Sequence, residues 1–110
     1  MWEFILDCLR SLRDWVVDLI VTVVSWVENV VGWFKKLKLD KKRHIPFTID
    51  MKTLRKQLDN APVIEGSGVF EAVYDEQTDE MVAHNTIKAN SLDRKTQDAL
   101  NQGGGMVVLG

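Results

Sequence analysis

Residues able to do chemistry are few and scattered. Cysteine occurs once, at Cys8, and histidine twice, at His44 and His84. A zinc site needs three or four ligands at short spacings, so no Cys/His cluster can be assembled, and a single cysteine forms no disulfide within the chain. His84 has no obvious carboxylate or cysteine companion and reads as a surface or interface residue rather than a general base. Ser67 and Ser91 lack the context of a nucleophile. Asp75, Glu76, Asp79 and Glu80 form an acidic loop tip, but the glycine that a calcium loop requires is missing. Gly103-Gly104-Gly105 follow a predicted helix and lead into apolar residues. That reverses the strand–glycine–helix order of phosphate loops, so they read as a helix C-cap. We expect no enzyme, no cofactor and no metal.

The elements that would position any site divide sharply. Overall the 110 residues are 45% hydrophobic and 27% charged with a net charge of −2, which excludes a dedicated nucleic-acid binder and a wholly disordered chain. All four tryptophans lie in the first 34 residues, and no glycine precedes Gly32. Residues 1–43 carry eight cations against six acids, whereas residues 44–110 carry six against ten. The junction is the most basic stretch, with Lys35, Lys36, Lys38, Lys41, Lys42 and Arg43 inside nine residues. The predicted organisation is an amphipathic helix over 1–36, a basic hinge over 37–43, and a small α+β domain over 44–110.

At about 100° per residue, residues 2–36 sort onto two sides of one long helix. Asp7, Asp14, Asp18 and Glu28 fall on a polar stripe, while Leu19, Val23, Val30 and Phe34 lie on a wide apolar arc. Trp15, Trp26 and Trp33 sit near the boundary, and Trp2 opens the segment. The eight valines of residues 16–31 oppose helix by propensity, but the period extends over nine turns. So broad an apolar arc marks a partner surface, supplied by a membrane or by further copies of the chain.

Trp15 to Phe34 is long enough to reach across a bilayer core. Asp18 and Glu28 lie inside that window, however, and each costs up to about 3 kcal/mol near the centre of a lone span. Lying in the interface, or crossing as a bundle with acids facing a lumen, removes the penalty. The basic run would then meet anionic headgroups and hold the C-terminal domain on the cytoplasmic side. The units Asp14-Trp15-Val16-Val17-Asp18 and Trp26 to Lys36 resemble short tryptophan-bearing, membrane-active amphipathic peptides that end in lysines. The resemblance implies membrane association for this segment alone.

Beyond the hinge, Ile45–Ile49 alternates and Pro46 suits an edge strand. Asp50 caps a predicted helix over 51–60, Val69–Tyr74 and Met81–Lys88 form a hairpin, and a helix over 91–102 precedes the apolar Met106–Leu109. The expected fold is α+β, the long helix followed by a β-α-β-β-α-β, ferredoxin-like domain. Met106, Val107, Val108 and Leu109, tethered by three glycines, are candidates for strand exchange with another subunit.

The function expected from sequence is a non-enzymatic, membrane-associated homo-oligomer, its helix in or lining the bilayer and its head controlling assembly or partner binding. The alternative is a structural subunit of a protein-only particle, such as a virus shell, with the helix buried between subunits. Deleting residues 2–34 should, on the first reading, leave a soluble folded head.

Overall fold

The computed structural model describes residues 2–11, 17–57 and 67–109. The long N-terminal helix is not there. Its residues form helix α1 (Trp2–Ser11), strand β1 (Leu19–Val24), a π-helix over Trp26–Val31 and helix α2 (Gly32–Lys35). The cause lies in Ile20, Val21, Thr22, Val23 and Val24, five β-branched residues in succession. Each restricts χ1 against a helical turn but packs well on a pleated surface. Ser25 then opens the next element: its hydroxyl accepts from the Glu28 N–H at 3.2 Å, and its own N–H donates to Asn29 Oδ1 at 2.7 Å. The π character follows from Val30 N–H, which reaches back to the Ser25 carbonyl at 3.2 Å.

The remaining chain supplies β2 (His44–Asp50), α3 (Met51–Gln57), β3 (Ser67–Asp75), β4 (Glu80–Leu92), α4 (Arg94–Gln102) and β5 (Met106–Val108). All five strands join one mixed sheet in the order β1-β4-β3-β2-β5. This corrects the ferredoxin-like expectation. A split βαβ arrangement keeps its first two strands parallel with another strand between them, whereas β2 and β3 are adjacent and antiparallel and β4 lies beyond β3. Only β1 runs parallel to its neighbour, β4.

Pro46 is also not on an edge strand, because β2 lies between β3 and β5. Its carbonyl accepts from the Leu109 N–H at 2.8 Å, which shows that its main chain points toward β5. The ladder with β5 covers only Phe47 to Ile49. The missing N–H therefore faces the sheet's outer side where that ladder stops, and no bond to β3 is lost.

Helices cover both faces of the sheet. On one, Phe47 and Ile49 of β2 and Phe70, Ala72 and Tyr74 of β3 pack with Ile5, Leu6 and Leu9 of α1 and Met51 and Leu54 of α3. On the other, Val69 and Val73 of β3 and Ile87 and Ala89 of β4 pack with Val24, Val30, Phe34 and Leu100. Residues 2–36 thus contribute to both cores. Strand β3 is buried along nearly its whole length because it is central and covered on both sides.

Asp93 joins the second layer together. Its Oδ1 accepts from the Thr96 N–H at 2.9 Å, capping α4, and its Oδ2 accepts from the Trp26 N–H at 2.9 Å. Burial pushes its carboxyl up, but the Thr96 hydroxyl, these two N–H groups and Lys95 outweigh that and hold it below the ordinary range. The stability it contributes is present above the ordinary carboxylate pKa and is lost as pH falls through its depressed value. Asp93→Ala is expected to cost about 2 kcal/mol, read as a lower urea midpoint at neutral pH with an unchanged slope.

Candidate functional site

The residues expected to share one helical stripe are not brought together. Asp7 is on α1, exposed and paired with Arg10 at 2.9 Å. Asp18 precedes β1, where its carboxylate accepts from the Thr86 N–H at 2.8 Å and its own N–H donates to the Thr86 carbonyl at 2.9 Å. Glu28 is exposed on the π-helix. Asp14 and Trp15 lie outside the described residues, as does the side chain of Trp2. The apolar set is divided too. Val30 and Phe34 are buried in the second core, with Trp26 and Trp33 partly buried against it. Trp33 meets Phe34 edge-on, ring centroids 4.9 Å apart. Among the described residues no helix is long and apolar enough to cross a membrane.

The basic run keeps Lys35, Lys36, Lys38, Lys41 and Lys42 exposed. Arg43 differs from them: its Nη2 is 2.7 Å and its Nε 2.9 Å from Asp75 Oδ2. His44 Nε2 is 3.4 Å from the same oxygen, and its Nδ1 accepts from the Asp40 N–H at 2.9 Å. The Arg43 guanidinium, assisted by the Gln77 and Thr78 N–H groups, holds the Asp75 carboxyl low against the effect of burial. This cluster closes the β3–β4 turn, so Arg43 serves the fold. Met106, Val107 and Val108 pair with β2 of their own chain, and the Leu109 N–H bonds to Pro46.

Cys8 and His84, with Tyr74 beside them on the first core's face, are the polar groups there to weigh for chemistry. The Cys8 thiol donates to the Asp79 carbonyl at 3.0 Å; partial burial, with Asp79, Asp7 and Glu80 nearby, pushes its pKa up and lowers its nucleophilicity. The Tyr74 hydroxyl donates to the Asp79 carboxylate, and its pKa is pushed up to about 12 by that bond first and by burial second. His84 stacks on Phe70 with centroids 6.0 Å apart, on the face covered by α1 and α3. Among the described residues no group of three or more acids, histidines or cysteines could hold a metal ion.

Sequence reasoning missed Glu71. It is fully buried on β3, opposite Thr48 of β2 and Asn85 of β4. The Asn85 amide donates to its Oε1 at 2.9 Å, while neither its Oε2 nor the Thr48 hydroxyl has a partner among the described residues. Burial pushes the carboxyl up to about 8, against the opposing effect of Asn85. The available signal was a single acid inside Val69-Phe70-Glu71-Ala72-Val73. With His84 projecting from the opposite face and only Thr48 and Asn85 as its polar neighbours among the described residues, Glu71 reads as a buried acid within the sheet, its protonated form favoured by burial.

Among the described residues no strand pairs with the outer edge of β1. Ile20 is 73% exposed, Val23 45% and Leu19 38%, and Val27 beyond them is 57% exposed. Asp18 and Glu28 bracket nine residues without a charge. Edge strands are ordinarily protected by lysines, prolines, bulges or a covering segment; β1 has neither lysine nor proline, and its pairing with β4 is regular parallel strand. Fold and site together define a three-layer α/β/α domain with an uncharged, apolar strand edge. No protein-family model matches the chain, and comparison with curated proteins and with solved structures finds no significant match.

Proposed function

We propose that this protein is an assembly module that associates with itself by strand addition at β1. The observation that carries the reading is the exposure of Leu19, Ile20 and Val23 on an uncharged sheet edge. Strand addition satisfies the outward N–H and C=O groups of such an edge and covers its side chains in the same step. A second copy fits because the strand is self-complementary. In an antiparallel pair about a two-fold axis, the two Asp18 residues fall at opposite ends, while parallel pairing would set them side by side. The small net charge of −2 adds little long-range repulsion between copies.

The reading is tested by native mass measured over a concentration series. The protein is expected to pass from a 12.6 kDa monomer to twice that mass as concentration rises. Ile20→Lys is expected to remain monomeric and to unfold at the same urea midpoint as the parent, because Ile20 contributes little to either core. A parent that is monomeric throughout, or a variant that dimerises equally well, removes the reading.

A further inference from the structure

Apart from β1, the surface holds an apolar groove where the basic segment passes the end of the sheet. Two hollows make it up. One, of about 290 Å³, is lined by Leu39, Ile45, Pro46 and Val108 with Lys41 and His44 at its rim. The other, of about 210 Å³, is lined by Val31 and Phe34 with Lys35 at its rim. Pro46 and Leu109 line both, so the hollows adjoin at these two residues.

The chemistry of the lining selects the ligand. Pro46 has no N–H, and its carbonyl already accepts from the Leu109 N–H at 2.8 Å. Pro46 therefore offers no hydrogen bond to a peptide or a sugar, and with the side chains of Leu39, Ile45, Val108 and Leu109 it forms a surface suited to covering hydrocarbon. The rim has the opposite character. Lys41 lines one hollow and Lys35 the other, and Lys36, Lys38 and Lys42 are exposed along the same segment. The neighbouring acids do not cancel this charge. Asp75 is engaged by Arg43 and His44, and Asp40, a carboxylate that accepts from the Lys42 N–H at 2.9 Å, is one acid against five exposed lysines. His44 is held between Asp40 and Asp75, which leaves anion contact to the lysines. From the apolar floor shared at Pro46 and Leu109 and the lysines beside it we infer that the groove binds a single-chain anionic amphiphile, a fatty acid being the simplest, with its acyl chain over Pro46 and Leu109 and its carboxylate at Lys35 or Lys41.

Concavity separates this ligand from a membrane surface, since a flat bilayer can meet the lysines but cannot fill the hollows. The inference is also independent of self-association, because none of the groove residues belongs to β1.

The test is an isotope-edited titration of the full chain with octanoate, decanoate and dodecanoate below their micelle thresholds, using the Ile20→Lys background so that dimerisation does not intervene. Saturable shifts are expected at Leu39, Val108 and Leu109. Affinity is expected to rise roughly tenfold for each two methylenes added, as burial of hydrocarbon requires. The exposed double variant Lys35→Glu/Lys41→Glu should weaken dodecanoate severalfold while leaving the fold intact. Dodecyltrimethylammonium, which has the same tail and the opposite charge, should bind more weakly than dodecanoate to the parent and more tightly to the double variant. Four results overturn the inference: no saturable binding, no dependence on chain length, shifts centred on Leu19 and Ile20, or binding of anionic vesicles without binding of dodecanoate. Shifts at Val108 and Leu109 that follow protein concentration alone also overturn it, and assign the groove to a second copy.

Discussion

Glu71→Gln is expected to stabilise the protein strongly at alkaline pH and hardly at all at pH 4.5. The Glu71 carboxyl is fully buried and pushed up to about 8 from an ordinary 4.5. Between those values the folded state holds a proton that the unfolded chain has released. As far as this group is concerned, stability is fully present below about 4.5, falls as pH rises through the window, and reaches its minimum once pH passes about 8. The gap corresponds to roughly 5 kcal/mol at 1.36 kcal/mol per pH unit, a third or more of what a domain of this size possesses. Glutamine keeps an oxygen for the Asn85 amide and carries no charge to desolvate. Its NH2 group can donate toward the Thr48 hydroxyl, which lacks a partner among the described residues. The check is a pair of urea titrations at pH 5 and pH 8.5 for parent and variant. The curves should nearly coincide at the lower pH and separate at the higher; a separation equal at both would show that the buried charge is not its source.

Removal of residues 1–36 is expected to abolish folding, contrary to the independent head that the sequence suggested. Ile5, Leu6 and Leu9 cover one face of the sheet, and Val24, Val30 and Phe34 cover the other. Burying each such side chain contributes about 1.5–3 kcal/mol, so the six together are on the order of 10 kcal/mol. Total stabilities of small domains are about 5–15 kcal/mol, so little would remain. The deletion also strips β1 from β4 and removes the Trp26 N–H that Asp93 accepts. A chain of residues 37–110 should show no cooperative thermal transition and poor dispersion of amide resonances. A sharp transition near the parent's would mean that residues 44–110 hold their own core.

The two halves of the chain were not equally legible. In the C-terminal half, Val69–Tyr74 and Met81–Lys88 do lie in the paired strands β3 and β4, because alternation in a short strand between polar turns allows few other readings. The start of α4 was misplaced: Asn90, with Asp93 three residues on, resembles a capping box opening a helix at Ser91, whereas β4 continues to Leu92 and Asp93 itself caps a helix that begins at Arg94. Sheet order was a different matter. The same strands can be arranged in several ways, and what decides between them is which apolar faces are covered from elsewhere, here by residues 2–36. In the N-terminal half the helical period misled for a physical reason. From Leu19 to Val27 nearly every residue is apolar, and an almost continuous apolar run satisfies a helical period and a strand equally. The discriminating signal was branching at Cβ, which is local and independent of period.

Glu71 and the β1 edge share a lesson about sites. The acid could be seen in the sequence, but its burial depends on β2 and β4 flanking β3. The exposure of Ile20 depends on β1 being the last strand of the sheet, which no local pattern records. Local residues specified the chemistry available, and the topology decided which of it was accessible.

Amide hydrogen exchange of residues 19–24, followed from low micromolar to millimolar protein, tests self-association at β1 most directly. The outward amides of an open edge exchange through solvent, whereas those paired with a second strand are protected. Protection confined to β1 and rising with concentration in the parent, with none in Ile20→Lys, is the expected result. Exchange at β1 that is independent of concentration, or protection that rises instead at β5, would contradict assembly through this edge.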